Sequence, residues 1–266
     1  MERTRLGVLG WPVAHSRSPA MHNAALPAVG LARWRYQLLP VPPELFARTV
    51  RALPRAGFRG ANVTIPHKEQ ALALADAPSA RAEAIGAANT LIFEDDGGIR
   101  ADNTDAPALI DALPFSPRGK TALVLGAGGT ARAAVWALLD AGAAEVRVWN
   151  RSPERARAVS AEVGGVAVER AEPAHLLVHC TSTGLGAYED TFKNLPLTAD
   201  SLSSYDCLVD LVYGATETRL VKAARTRLVP VIDGIEILIG QGALSFAQFT
   251  GRPAPIALMR AAVRAS

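Results

Sequence analysis

Cysteine and lysine are scarce in this chain. Its 266 residues include two cysteines, Cys180 and Cys207, and four lysines, Lys68, Lys120, Lys193 and Lys222. Two cysteines cannot form a disulfide framework, and both lie in apolar runs typical of buried thiols, so a reducing cytoplasm is the expected compartment. Aromatic residues are 6% of the chain, and the arginines that supply most of the positive charge are scattered and not interleaved with them. With a formal net charge of only +3, that pattern argues against nucleic-acid binding. No stretch reaches the roughly 18 uncharged apolar residues of a membrane span. The N-terminal "MERTRLGVLGWPVAHS" has arginines ahead of an apolar run, as a signal peptide would, but Pro12 cuts the run short and the segment reads as a strand. Internal repeats and low-complexity tracts are absent too, and no metal site is expected.

What is present is apolar residue, 49% of the chain, enough to bury a substantial core in one large domain or two ordinary ones. Helix-like segments alternate with short Val/Leu/Ile-rich runs along most of the length, the pattern of an α/β protein with a largely parallel sheet. The clearest unit is "TALVLGAGGTARAAVWALLDAG": a buried strand over 121–125, a glycine turn, and a helix from about Thr130 to Asp140 closed by Gly142. The turn reads G-x-G-x-x-A, from Gly126 through Ala127, Gly128, Gly129 and Thr130 to Ala131. Gly126 permits the tight bend, Gly128 lets a pyrophosphate approach the backbone, and Ala131 lets the helix pack closely on the strand, with the phosphates resting on the helix N-terminus. A second strand, "EVRVW", follows at the spacing of a Rossmann-type dinucleotide site.

At the tip of that second strand an NAD site usually carries an Asp or Glu for the ribose, whereas this chain continues "NRSPERAR". Arg151 and Arg155 flank a helix start in which Asn150 leads in, Ser152 is the N-cap and Pro153 the first helical residue. Guanidinium groups match a 2′-phosphate in charge and in bidentate geometry, so NADP(H) is favoured over NAD; a solvated, capped helix start is the plain alternative.

Residues 1–120 precede this unit and suffice for a second domain. They read as a strand at 4–10, a helix from about 18, a strand at 33–39, a helix at 43–53, a strand at 60–65 and a helix from Pro66, followed by a hairpin turning at Asp95 to Gly98. Polar residues gather at the ends of these elements: Ser16 and Ser18 in "AHSRSP", Asn62, Thr64 and Lys68 in "NVTIPHK", Asn89 and Thr90 in "GAANTL", and Asn103, Thr104 and Asp105 in "DNTDAP". Small hydroxyl, amide and single-charge groups converging from several loops suit a polyhydroxylated small acid. Each residue has a plainer reading: Ser18 and Asp105 as helix N-caps, Asn89 as a turn residue, Lys68 as a solvated group in a helix's first turn. His67 has no assigned part.

As a set, "HSRSP", "NVTIPHK", "NTD", "GAGGTARA", "NRS" and "DGIEILIGQGALSF" resemble the shikimate dehydrogenase family, in the family's order and over nearly the whole chain. The resemblance implies an enzyme that reduces 3-dehydroshikimate to shikimate with NADPH. It implies that Ser16 and Ser18 hold the substrate carboxylate, that Asn62, Thr64, Lys68, Asn89, Asp105 and Gln241 meet the ring hydroxyls with Tyr213 nearby, and that Lys68 and Asp105 are the catalytic pair. A lysine can carry the proton that must accompany hydride transfer at a ring carbon bearing oxygen. On the cofactor side the resemblance adds Thr181, Ser182, Gly234 and Ile237. The chain departs from the family at His179 and Cys180, at Ala106 after "NTD", at Glu236 and Ile237, and in lacking a proline after Tyr213.

The expected architecture is two α/β domains with a cleft between them. Residues 1–103, completed by helices over 237–266, form an N-terminal substrate-binding domain, and 104–236 a Rossmann-type NADP-binding domain with a parallel sheet. Closure of the domains over the ligands is a further expectation. The expected partners are the small-molecule substrate and NADP(H), with no nucleic acid and no membrane; a homodimer is the assembly left open. The competing readings are a related dehydrogenase that prefers quinate or uses NAD, and a non-catalytic metabolite-sensing or repressor module.

Overall fold

The structure, a computed structural model, describes residues 4–184, 191–214 and 216–266; residues 1–3, 185–190 and 215 lie outside it. Two compact units are present, Met1–Ala108 with Leu238–Ser266, and Leu109–Ile237. The divisions fall within helices α5 (Asp105–Ala112) and α9 (Gly234–Thr250).

The first unit holds strands β1 (Arg5–Gly10), β2 (Arg35–Pro40), β3 (Phe58–Val63), β4 (Ala77–Pro78), β5 (Thr90–Phe93) and β6 (Ile99–Asp102), in the order β2-β1-β3-β5-β6-β4. β1 is parallel to β2 and β3, while β5 is antiparallel to β3 and β6, so this sheet is mixed. The Asp95–Gly98 turn, with Gly97 at φ +91°, is too short to return anything but an antiparallel strand. Helices α1 (Ser18–Ala28), α2 (Phe46–Ala52), α3 (Lys68–Ala73) and α4 (Ala80–Ile85) belong to this unit, and α10 (Ile256–Arg264) packs along α1. Its core gathers Leu9, Phe46, Val50, Ala61, Val63 and Leu91. β3 is central, and Gly60 to Val63 are all buried instead of alternating.

Two expected boundaries shift here. The strand expected over 60–65 stops at Val63, leaving Thr64 beyond it, and the helix expected from Pro66 begins at Lys68 after a cis Ile65–Pro66 peptide. The intervening turn is closed by the His67 N–H on Thr64 O at 3.0 Å, and the His67 ring is drawn into the core. It stacks on Phe46 at 4.3 Å and bonds Val41 O at 2.8 Å through Nε2. Burying that ring requires a turn where a helix from Pro66 was expected.

The second unit holds β7 (Thr121–Leu125), β8 (Glu145–Trp149), β9 (Val166–Ala167), β10 (Ala174–His179), β11 (Tyr205–Asp210) and β12 (Val231–Asp233). All are parallel, in the order β12-β11-β10-β7-β8-β9, a doubly wound sheet whose winding reverses between β7 and β10. Alternate residues of single strands feed opposite cores: Ala122 and Val124 join Ala131 and Val135 of α6 (Gly129–Asp140) and Val159 of α7 (Pro153–Glu162), while Leu123 and Leu125 join Leu220 and Ala224 of α8 (Arg219–Thr226). Covering both faces is what makes these strands read as unbroken apolar runs. Cys207 is buried and its thiol is pushed up to about 11, chiefly by burial, while Cys180 is only partly buried; neither forms a disulfide. No described helix is long and apolar enough to cross a membrane.

Asp102 ties the first unit together. Ser79 Oγ and the Asn103 N–H donate to Oδ1 at 2.6 and 2.7 Å, and Arg81 Nη2 and Gln248 Nε2 donate to Oδ2 at 2.6 and 2.7 Å. Burial works to raise its pKa, but the hydrogen bonds from Ser79, Gln248 and the Asn103 amide, with the Arg81 charge, outweigh it and hold the carboxyl below its ordinary value. Because the folded value is the lower one, this stabilisation is complete above about pH 4 and is lost as the pH falls through the folded value. Asp102→Asn is expected to cost about 1–3 kcal/mol in urea unfolding at neutral pH. The gap to wild type is expected to narrow below about pH 4, and an unchanging gap would refute this account.

Candidate active site

Lys68 opens α3, immediately after the turn that buries His67, and Asp105 opens α5. Lys68 Nζ donates to Asp105 Oδ2 at 2.6 Å, and the two side chains are only 12% and 11% exposed. Such a pair is tolerated when its remaining lone pairs find donors. Asn89 Nδ2 supplies Asp105 Oδ1 at 2.8 Å, also reaching Thr104 Oγ1 at 3.0 Å and Gln241 Oε1 at 3.5 Å. Asn89 Oδ1 in turn accepts from the Thr104 N–H at 2.8 Å and from Thr90 Oγ1 at 3.0 Å. Gln241 is held by its own Nε2 on Leu238 O at 2.9 Å within α9. Asn62 Nδ2 donates to Asn89 O at 3.2 Å, joining β3 to the same cluster.

The structure therefore brings Asn62, Lys68, Asn89, Asp105 and Gln241 into one buried hydrogen-bonded group. Ser16 and Ser18 form a local pair: the Ser18 N–H donates to Ser16 Oγ at 3.3 Å, and Ser16 Oγ donates to Ser18 Oγ at 3.2 Å. Thr64 lies just past β3, with its N–H on Leu9 O at 2.8 Å. The N-cap readings are corrected by one or two positions. Ser18 is the first residue of α1, whose N-cap position is Arg17 and lacks a side-chain cap bond. Asp105 is itself helical, and Asn103 Oδ1 receives the Asp105 and Ala106 N–H groups at 3.1 and 3.3 Å. Relieved of capping, the two Asp105 oxygens accept from Lys68 and Asn89, one each, with lone pairs to spare.

Other members of the group carried no sequence signal. Tyr36 OH donates to Asn62 Oδ1 at 2.8 Å and Ser245 Oγ to the same atom at 3.4 Å, across 26 and 183 positions of chain. Behind Tyr36, the His22 ring stacks at 4.2 Å; full burial brings its pKa down to about 3, so it is a neutral plate. Asn103 was readable as a capping asparagine before a helix. Among the described residues no cluster of His, Cys, Asp or Glu could hold a metal ion.

In the second unit the glycine turn divides its labour. Gly126 sits at φ +121°, its N–H bonds Trp149 O at 2.8 Å, and an added Cβ would lie 3.1 Å from the Cys180 carbonyl carbon. Gly128 is extended, and an added Cβ there would meet nothing within 4 Å. Its lack of a side chain thus serves no packing within the protein and leaves open backbone at the N-terminus of α6, which has no side-chain cap. Ala127 and Ala131 are buried, Gly129 and Thr130 partly exposed. That cradle fits a pyrophosphate. Arg151 and Arg155 are exposed beside it in sequence, past the end of β8. Ser152 occupies the N-cap position of α7 with Pro153 following, but its side chain makes no cap bond; the Arg155 N–H meets its carbonyl at 3.1 Å, and so does Asn150 Nδ2, also at 3.1 Å.

Thr181 and Ser182 follow β10, and Tyr213 is half-buried after β11. Gly234 opens α9 where an added Cβ would lie 2.8 Å from Leu211 O. Ile237 is 3% exposed and packs into the core with Leu109 and Val124.

Residues 8–91 match the family model described as shikimate dehydrogenase substrate binding domain, 112–181 that described as shikimate / quinate 5-dehydrogenase, and 234–264 that described as shikimate 5'-dehydrogenase C-terminal domain. The chain is 43% identical over 259 residues to the shikimate dehydrogenase (NADP(+)) of Paracoccus denitrificans, covering 92% of this chain and 90% of the relative. It is 46% identical over 266 residues to the shikimate dehydrogenase (NADP(+)) of Methylobacterium radiotolerans, covering 94% and 92%. A crystal structure of shikimate 5-dehydrogenase from Thermus thermophilus in complex with NADP(H) and shikimate superposes with a TM-score of 0.86 at 41% identity, covering 98% of this chain and 99% of that one.

The two glycines are separable by experiment. Gly126→Ala is expected to destabilise the protein by about 1–3 kcal/mol, since it strains the backbone. Gly128→Ala is expected to leave the melting temperature near wild type while weakening dinucleotide binding about tenfold or more, as read by calorimetric titration. Equal affinity in Gly128→Ala and wild type would remove the turn from the binding site.

Proposed function

The chain belongs to the shikimate dehydrogenase family, and on that premise we propose that it catalyses the reversible, NADP-dependent reduction of 3-dehydroshikimate to shikimate, a step in making the aromatic amino acids. It is an oxidoreductase with NADP(H) as its redox partner. The observation that carries the reading is the buried 2.6 Å pair of Lys68 and Asp105, one proton donor and one fixed acceptor among amides and hydroxyls suited to a polyol.

We assign substrate recognition to the first unit. Ser16 and Ser18 hold the carboxylate, and Asn62, Thr64, Asn89 and Gln241 meet the ring hydroxyls. Tyr213 is assigned a further substrate contact. Bound NADPH supplies the hydride. Gly126 to Ala131 would hold its pyrophosphate, Asn150, Arg151, Ser152 and Arg155 its 2′-phosphate, and Thr181, Ser182, Gly234 and Ile237 the rest of the molecule. As the ring carbon gains hydride, its oxygen must gain a proton. Lys68, held by Asp105 through one N–H, gives a proton to that oxygen. In the oxidative direction the neutral amine takes the proton back. Asp105 is locked by Asn89 and by its place in α5, so it holds Lys68 in position and accepts from a substrate hydroxyl. A cytoplasmic setting is proposed as well, supported by two cysteines that form no disulfide.

Purified protein with shikimate and NADP⁺ is expected to form NADPH, followed at its absorbance. Lys68→Ala is expected to reduce kcat by about 10²–10⁴-fold while shikimate still binds. Arg151→Ala and Arg155→Ala are each expected to raise KM for NADP⁺ about tenfold and to leave any turnover with NAD⁺ unchanged. Absence of turnover with shikimate and with quinate, with either cofactor, would sink the reading.

A further inference from the structure

His179 ends β10 and Asp210 ends β11, in register across the parallel pair. Both are removed from water, with side chains 1% and 0% exposed, and the proposed mechanism uses neither. Their roles follow from counting donors. Asp210 Oδ1 receives the Val212 N–H at 3.1 Å and faces His179 Nδ1 at 2.8 Å, while Oδ2 receives Thr218 Oγ1 at 2.5 Å. A carboxylate only accepts, so Nδ1 carries a proton, and in the tautomer that carries its single ring proton there Nε2 is an acceptor. Nε2 lies 2.7 Å from Thr181 Oγ1, which must then donate to it. The Thr183 N–H takes one lone pair of the same oxygen at 3.1 Å. Thr181, partly exposed, has one lone pair left and no proton to offer.

This group stands among the segments proposed for the cofactor. The Cys180 N–H bonds Leu125 O at 2.8 Å, and the Cys180 carbonyl packs where a Gly126 Cβ would be. The Leu211 N–H bonds His179 O at 3.0 Å, and the Leu211 carbonyl closes the space over Gly234.

We propose that His179, backed by Asp210, is a positioning residue for the cofactor side: it fixes the Thr181 hydroxyl as a pure acceptor, which selects a donor on the dinucleotide, a sugar hydroxyl or a carboxamide N–H, and rejects phosphate or carbonyl oxygen. This rests on the NADP reading above and adds to it a supporting residue behind the contact and a hydrogen-bond polarity.

The test is a double-mutant cycle on the intact enzyme with His179→Asn, Thr181→Val and the double variant. Asn retains a donor near the Nδ1 place but is too short to meet Thr181. Each single variant is expected to raise KM for NADP⁺ about tenfold with kcat and calorimetric shikimate affinity within about twofold of wild type. The double variant is expected to be no worse than either single, because both remove the same interaction. His179→Gln, which carries an amide to the Nε2 place, is expected to recover most of the loss. Multiplying effects, an equally impaired Gln variant, or an unchanged KM in Thr181→Val would each overturn the proposal, and the last holds even where His179→Asn does not fold. Wild-type enzyme that neither binds nor reduces NADP⁺ would instead overturn the functional reading beneath it.

Discussion

Withdrawing a lysine and an aspartate from water is the demand around which the first unit is organised. A buried ammonium and carboxylate gain little from each other once desolvation is counted, and losing either partner leaves the other uncompensated. The surrounding amides answer that demand. Asn89 has its carbonyl oxygen occupied by Thr104 and Thr90, which leaves its amide hydrogens free to meet Asp105, so orientation as well as presence is determined. Asn103 performs the capping that would otherwise consume the Asp105 carboxylate. Asp102, next in the chain, fastens the strand end to α4 and α9. The contiguous run Asp102–Asp105 thus contains a structural anchor, a cap, and a hydroxyl and a carboxylate that share Asn89.

The second unit meets a different constraint. Parallel strands buried on both faces keep their side chains for packing, so chemistry is left to the turns at their carboxyl ends. Gly126 is glycine because the adjoining Cys180 backbone and a left-handed φ leave no alternative, whereas Gly128 has open space about it. One is required by the protein and the other is available to a ligand. The His179–Asp210 pair follows from the same register, since adjacent strand ends bring the two side chains together.

What was legible in the residues was local. The strand, glycine turn and helix of 121–140 are contiguous, so spacing alone carried them, and the structure reproduces them within a residue. The hairpin at 95–98 was readable for the same reason. Helix starts were read less well: Ser18 and Asp105 each looked like a cap and each lies one position inside its helix, because a polar residue before proline or alanine does not reveal which side of the boundary it occupies. His67 was silent in sequence, yet burying its ring moved the start of α3 to Lys68.

The order of polar residues along the chain, the glycine spacing and the missing acid at the end of β8 were determined by sequence alone, and with them the α/β class, the family and the preference for NADP. Tertiary structure decided which polar atom faces which. Tyr36 and Ser245 converge on Asn62, Gln248 on Asp102, and Asp210 on His179, through sheet pairing and helix return over separations that no local pattern encodes. A hydrogen bond depends on tenths of an ångström and on which lone pair is still free, and both are set only when the core has packed.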